Sequence, residues 1–282
     1  MKLTMLGTGN AMVTRCYNTC FVISEDGRHF LVDGGGGNLL LRQLEDAAVD
    51  WRNIRDIFVT HRHMDHVLGI LWLLRRLCQS MAAGDCGGTV RLYAHEELTG
   101  MIRDMAHMLL QKKQAAYIRD SGDWEGAAAG PGEEKGIVLI PVSDQEERRI
   151  LDRRVVFFDI HSGKAKQFGF TMYLQGEEKL TCCGDEPYHE SERAFAEGSR
   201  WLLHEAFCLH SQAERFHPYE KHHSTVKDAC QAAERLRVKN LVLYHTEDTC
   251  LAERKALYTE EAAGYFSGNL YVPDDLEEIE LL

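Results

Sequence analysis

The stretch Thr60-His61-Arg62-His63-Met64-Asp65-His66 constrains this chain more than any other feature. It follows an apolar run, Ile54–Val59, that reads as a buried strand. It precedes Val67–Met81, where Val67, Leu68, Ile70, Leu71, Leu74, Leu77 and Met81 recur at helical spacing. Three histidines and an aspartate therefore fall where a strand passes into a helix. Neutral imidazole nitrogen and carboxylate oxygen are the usual ligands of zinc and similar cations. Alternate side chains of an extended chain point the same way, so His61 and His63 can reach one ion together. Asp65 and His66, where the chain turns, can face a second.

The flanking sequence predicts an α/β chain. Lys2–Leu6, Thr19–Ile23 and His29–Val32 read as short strands before the motif. Leu92–Ala94, Ile137–Ile140, Val155–Ile160, Phe168–Leu174, Leu180–Cys182, Trp201–Leu203 and Leu241–Tyr244 read as strands after it. Leu98–Gln114, Ser191–Glu197 and Thr225–Leu236 read as helices, the first with Met101, Met105, Met108 and Leu109 on one side as core packing. Ser121–Gly136, with six glycines or prolines among acids and alanines, reads as a mobile loop or insertion. The alternation of strands with helices predicts a single α/β domain over 1–282 with packed sheets and outer helices. An insertion or lid is expected around 98–136.

Composition narrows the function classes. With 282 residues, 44% hydrophobic and 27% charged, the chain can bury a large core without a disulfide framework. The net charge of −12 gives no broad footprint for a phosphate backbone, which disfavours a nucleic-acid partner. No apolar run approaches the ~18 residues of a membrane span. The apolar part of Met1–Gly9 is too short for a secretory signal, and the nine cysteines read as reduced thiols, so a cytoplasmic location is expected.

The pattern His61-x-His63-x-Asp65-His66 resembles the signature of the metallo-β-lactamase superfamily, and other segments resemble its ribonuclease Z-like, phosphodiesterase-like branch in order along nearly the whole chain. These are Leu6-Gly7-Thr8-Gly9, Leu31-Val32-Asp33-Gly34-Gly35-Gly36, His161 followed by Phe168-Gly169-Phe170, and Gly184-Asp185. The series continues with His204-Glu205-Ala206-Phe207, where Phe207 departs from the branch's threonine, then His223-Ser224-Thr225 and Leu243-Tyr244-His245. The resemblance implies an αββα sandwich, two packed mixed sheets flanked by helices. It implies two divalent ions: His61, His63 and His161 on one, Asp65, His66 and His245 on the other, and Asp185 bridging. Zinc is the default for such ligands, and manganese and iron use similar ones. His95 and His107 rival His161 as the third histidine. Asp33 would orient a ligand from behind.

Two adjacent divalent ions lower the pKa of a bridging water, so the expected activity is hydrolysis by a metal-bridging hydroxide. The catalytic candidates are Asp65, His223 and Glu205. An imidazole at His223 suits protonation of a leaving oxygen, and Glu205 would orient it. His222 stands beside His223 and leaves the register open. A solvated helix cap at Ser224 or Thr225 is the plain alternative. Lys164 and Lys166 could touch an anionic substrate or sit in a solvated loop. His63 stands where the superfamily's diiron redox proteins carry glutamate, which disfavours redox chemistry.

Only 24 positions separate His161 from Asp185, so the long basic arm of short ribonuclease Z proteins is missing. A small phosphodiester is therefore expected rather than transfer RNA. The alternatives are a carboxylic ester, lactone or thioester hydrolase, and a non-catalytic metal-binding or sensor module. A homodimer is expected by resemblance alone.

Overall fold

Successive side chains of a strand face opposite ways, and this alternation sorts the apolar residues into three layers of core. The structure is a computed structural model that describes residues 1–124 and 135–282. In order, its strands are β1 (Lys2–Gly7), β2 (Cys20–Glu25), β3 (Arg28–Val32), β4 (Ile54–Phe58), β5 (Thr89–Ala94), β6 (Ile118–Asp120), β7 (Gly136–Pro141) and β8 (Glu147–Ile150). They continue as β9 (Arg153–Asp159), β10 (Phe168–Tyr173), β11 (Lys179–Cys182), β12 (Trp201–Glu205), β13 (Asn240–Tyr244), β14 (Asn269–Tyr271) and β15 (Glu278–Glu280). The longer helices are α1 (Leu39–Asp46), α2 (Met64–Ala83), α3 (Glu96–Leu109), α4 (Val226–Arg235) and α5 (Arg254–Ala262).

The strands form two mixed sheets, ordered β15-β1-β2-β3-β4-β5-β7-β6 and β14-β13-β12-β11-β10-β9-β8. In the first sheet Phe30 and Val32 face the second sheet, while Leu31 faces the helices α1 to α3. In the second, Leu203, Val242 and Tyr244 face inward, and Leu202, Leu241 and Leu243 meet α4 and α5. Strands buried on both faces read as continuous apolar runs, which is why β13, with Leu241 to Tyr244 all buried, stands out in the sequence. The layers are helix, sheet, sheet, helix. Phe170 joins the sheets, its ring centroid 5.5 Å from Phe30 and 5.8 Å from Phe58, both edge-to-face.

Each sheet is antiparallel on one side and parallel on the other. From β3 to β7 in the first sheet and from β11 to β14 in the second, neighbours run parallel. Parallel neighbours need crossovers, and α1 to α5 supply five of them. The carboxyl ends of β3, β4, β5, β11, β12 and β13 therefore emerge at one rim, where open α/β sheets place their ligands.

Several elements differ from the pattern reading. The helix expected over Leu98–Gln114 ends at Leu109, because Leu110 is extended, and a short turn Lys112–Ala115 follows. Met101 and Met105 pack against the core, but Met108 and Leu109 are 76% and 65% exposed. The edge strands β6, β8, β14 and β15 are not among the expected strands, each being only three or four residues long; β15 is Glu-Ile-Glu at a sheet edge, where charge blocks further pairing. Of the expected loop or insertion over Ser121–Gly136, residues 125–134 lie outside the described residues. Among the described residues, no helix is long and apolar enough to cross a membrane.

Candidate metal centre

The rim of parallel strand ends gathers the site. β4 delivers Thr60 and His61, the chain bends at Arg62, and His63, itself extended (ψ 152°), caps α2. Asp65 and His66 thus lie in the first turn of α2 rather than before it. Two glycines allow the helix to sit this close. A Cβ on Gly69 would fall 1.7 Å from the Gly34 carbonyl oxygen, and one on Gly34 would fall 2.5 Å from the Ile70 nitrogen. Main-chain bonds cross the same seam, Gly34 N–H to His66 O at 2.8 Å and Gly69 N–H to Gly35 O at 2.9 Å.

Asp33, at the end of β3, sits behind this turn. Its Oδ1 accepts from Thr60 N–H and its Oδ2 from Thr60 Oγ1, both at 2.8 Å. His66 Nδ1 lies 2.7 Å from the same Oδ2. That bond spends Nδ1 on Asp33 and turns Nε2 toward the rim.

Three groups of ligand atoms come together, each within 4.8 Å of one another: His61, His63 and Asp185; Asp65, His66 and His245; and Asp185, His223 and His245. Asp185 Oδ2 is the common point, 3.6 Å from His61 Nε2, 3.8 Å from His66 Nε2 and 3.6 Å from His245 Nε2. Asp65 Oδ2 lies 3.4 Å from His66 Nε2 and 3.5 Å from His245 Nε2. Gly184, at φ +75° with no room for a Cβ beside Gln167, makes the turn that aims Asp185, and Tyr244 Oη donates to the Gly184 carbonyl.

The buried charges are mutually dependent. Burial pushes the His61 imidazole well below its ordinary value, and His63 is lowered for the same reason. Burial alone would raise Asp185, but His61, His245 and His66 around it hold the carboxyl well below the usual range. Burial opposes charge on His66, yet Asp33 and Asp65 outweigh it and raise its pKa well above the ordinary value.

The residues fit divalent cations on a separate observation. His66 Nε2, Asp185 Oδ1 and both ring nitrogens of His245 are buried without a hydrogen-bond partner. Such atoms are costly to bury unpaired, and two of them, His66 Nε2 and His245 Nε2, meet at the Asp185 carboxylate. The first and second groups have the donor types of zinc-like sites, with Asp185 placed to serve both.

His161 lies outside these groups. Its backbone is left-handed (φ +57°), its N–H bonds Asp159 Oδ1 at 2.8 Å, and its side chain is 60% exposed. His95 is buried at the end of β5, with its ring 6.2 Å from that of Phe168, and His107 is exposed on α3; neither joins the groups. His204 is buried, with Nδ1 2.7 Å from the Glu205 carbonyl oxygen.

His223 rather than His222 is the inward residue. His222 is exposed, whereas the His223 ring stacks on Phe207 at 5.0 Å and stands 5.1 Å from His245. The fully buried Glu205 accepts from Ser224 N–H, and its other oxygen lies 3.5 Å from His223 Nδ1. Thr225 is the residue that caps α4, through a reciprocal pair with Asp228. Glu186 escaped the sequence reading. The signal was its place directly after Asp185; it accepts from Ser162 Oγ at 2.6 Å.

Comparison with known proteins agrees with the geometry. The family described as "Anti-Pycsar protein Apyc1" matches residues 1–122. Ribonuclease Z of Synechococcus sp. (strain CC9902) is 25% identical over 317 residues, covering 98% of this chain and 91% of that protein. Ribonuclease Z of Thermococcus sibiricus is 25% identical over 318 residues, covering 100% and 96%. Among solved structures, the metallo-β-lactamase fold protein YhfI from Bacillus subtilis superposes with a TM-score of 0.75 at 16% identity, covering 99% and 98% of the two chains. Human tRNase Z, short form, gives 0.70 at 20% identity over the whole of both chains. A diphosphatase from the PhnP family gives 0.71 at 18%, covering 100% and 98%. This chain has the metallo-β-lactamase fold and is similar in sequence to ribonuclease Z proteins over nearly its whole length.

Proposed function

We propose that this protein is a metal-dependent hydrolase of a small phosphodiester. The observation that carries the reading is Asp185 Oδ2 standing between His61, His66 and His245, with His223 on the same rim. His61, His63 and Asp185 would hold one divalent ion, and Asp65, His66, His245 and Asp185 a second; zinc suits the donor set. His161 would complete the first set only if its side chain turned inward. Such ions, when bound, supply a nucleophilic water at neutral pH and polarise a phosphoryl oxygen.

The chain's own groups do the rest. Asp33 fixes the His66 ring, so Nε2 faces the site without a search among rotamers. His223 is the group to hold a proton for the leaving oxygen. Glu205 faces its Nδ1, and Phe207 stacks against its face, so its Nε2 is the free edge. Asp65 would serve as a ligand beside His66 and His245.

The segment between His161 and Asp185 supports a small substrate. β10 pairs with β11 from Phe170–Cys182 to Tyr173–Lys179, a tight hairpin that leaves no length for an RNA-binding arm. The acid balance points the same way.

Turnover of bis-p-nitrophenyl phosphate, a lactone and a thioester by zinc-loaded protein tests the reading. Hydrolysis of the phosphodiester at a kcat/KM above that for either carbonyl substrate supports it. Preference for the lactone or thioester makes the enzyme a carbonyl hydrolase, and no turnover of any ester with metal bound makes it a binding or sensor module.

A further inference from the structure

Lys164 is not a ligand, yet it reaches the ligands. Its ammonium lies 3.8 Å from Asp185 Oδ2, 3.5 Å from the Asp185 main-chain oxygen and 3.9 Å from Glu186 Oε1. Asp185 Oδ2 is the oxygen that three histidines approach. A loop lysine ordinarily keeps its head in water, because fixing it costs rotamer entropy and desolvates a strongly hydrated charge. Here the side chain is only 18% exposed.

The backbone that carries it is fastened. Ser162 Oγ accepts from Lys164 N–H at 3.1 Å and from Ala165 N–H at 3.2 Å, and donates to Glu186 Oε1 at 2.6 Å. Glu186 adjoins Asp185, so the turn holding Lys164 is tied to the segment holding the shared carboxylate. Lys166, two residues on, is differently placed, with Nζ 5.8 Å from the Phe168 ring centroid.

We propose that Lys164 is the anion-binding residue of this site, holding a non-esterified oxygen of the substrate's phosphoryl group. The proposal rests on the phosphodiester reading above and deepens it. A phosphodiester carries one negative charge shared by two such oxygens, and an ammonium is a compact point charge for one of them. Cations held at Asp185 would neutralise that carboxylate and leave the lysine's charge for an anion. A different role, a permanent counter-ion for Asp185 and Glu186, would act on cation affinity and leave anion binding unmoved.

The test uses zinc-loaded protein and inorganic phosphate as the probe. Phosphate binding by calorimetry, zinc affinity against a competing chelator, and KM and kcat for bis-p-nitrophenyl phosphate are measured for wild type, Lys164→Met and Lys164→Arg. Loss of one charge-assisted bond predicts phosphate binding weaker by about ten- to a hundredfold in Lys164→Met. Zinc content should be unchanged, and Lys164→Arg should retain most of the affinity. Phosphate affinity equal to wild type in Lys164→Met, or no phosphate binding by wild type, overturns the proposal. A change confined to zinc affinity also overturns it, in favour of the counter-ion. Wild type that binds phosphate through Lys164 but hydrolyses no phosphodiester keeps the anion site and removes the substrate reading. Lys164→Gln replaces Lys164→Met if the latter does not fold.

Discussion

The His66 ring and the Asp33 carboxylate are joined by a 2.7 Å hydrogen bond that runs from the first turn of α2 to the end of β3. The same carboxylate also accepts two bonds from Thr60, so one side chain ties both ends of the histidine motif. Asp33→Asn keeps the volume but puts an amide where His66 needs an acceptor. Zinc affinity should fall about ten- to a hundredfold, read by chelator competition. Unchanged affinity would show that His66 is aimed without Asp33.

Gly69 and Gly34 set how closely α2 approaches the turn after β3. Gly69→Ala places a methyl 1.7 Å from a carbonyl oxygen, so backbone must move. Urea unfolding should show a loss at or above the upper end of the ~1–3 kcal/mol typical of overpacking. Zinc binding should weaken with it, because Asp65 and His66 ride on the shifted turn.

Loss of His223 should cost kcat more than KM. His223→Ala is expected to lower kcat for an alkyl phosphodiester by about 10²–10⁴. The loss should be far smaller for bis-p-nitrophenyl phosphate, whose leaving group needs no proton. Glu205→Gln should follow the same pattern more weakly. Equal losses on both substrates would assign the pair a structural role.

Burial raises the pKa of Glu192 to about 8, with the Cys183 thiol beside it. Its Oε1 accepts from His189 N–H, and its Oε2 is buried without a partner. In the unfolded chain the carboxyl ionises near 4.5, so the folded state alone stays protonated between those values. Stability should therefore fall as pH rises from about 5 to 8 and level off above. Glu192→Gln should melt higher than wild type at pH 8 and about equally at pH 5. Thermal melts across that range would show it, and a parallel shift at both pH values would contradict it.

Much of this architecture was legible because it depends on local pattern. β13 is apolar on both faces and β4 runs out through Ile57, Phe58 and Val59, and the residues after them, His61 and His245, inherit their position from the strand ends. Asp185 is legible for the same reason, through Gly184. The edge strands β6, β8, β14 and β15 are short and carry little apolar signal. The end of α3 at Leu109 is set by the extended conformation of Leu110 rather than by any glycine or proline. The outward His161 ring depends on a left-handed backbone and a bond to Asp159, neither of which composition announces. The choice between His222 and His223 likewise waits on the turn before α4, where His222 takes φ +56° and His223 turns inward.

The central claim is a shared two-ion site on Asp185. Metal stoichiometry by plasma mass spectrometry, on protein purified without chelator, tests it most directly when paired with His61→Ala and Asp185→Ala. The account predicts about two ions per chain in wild type, with loss of metal in both variants. One ion or none in wild type, with Asp185→Ala indifferent, would contradict it.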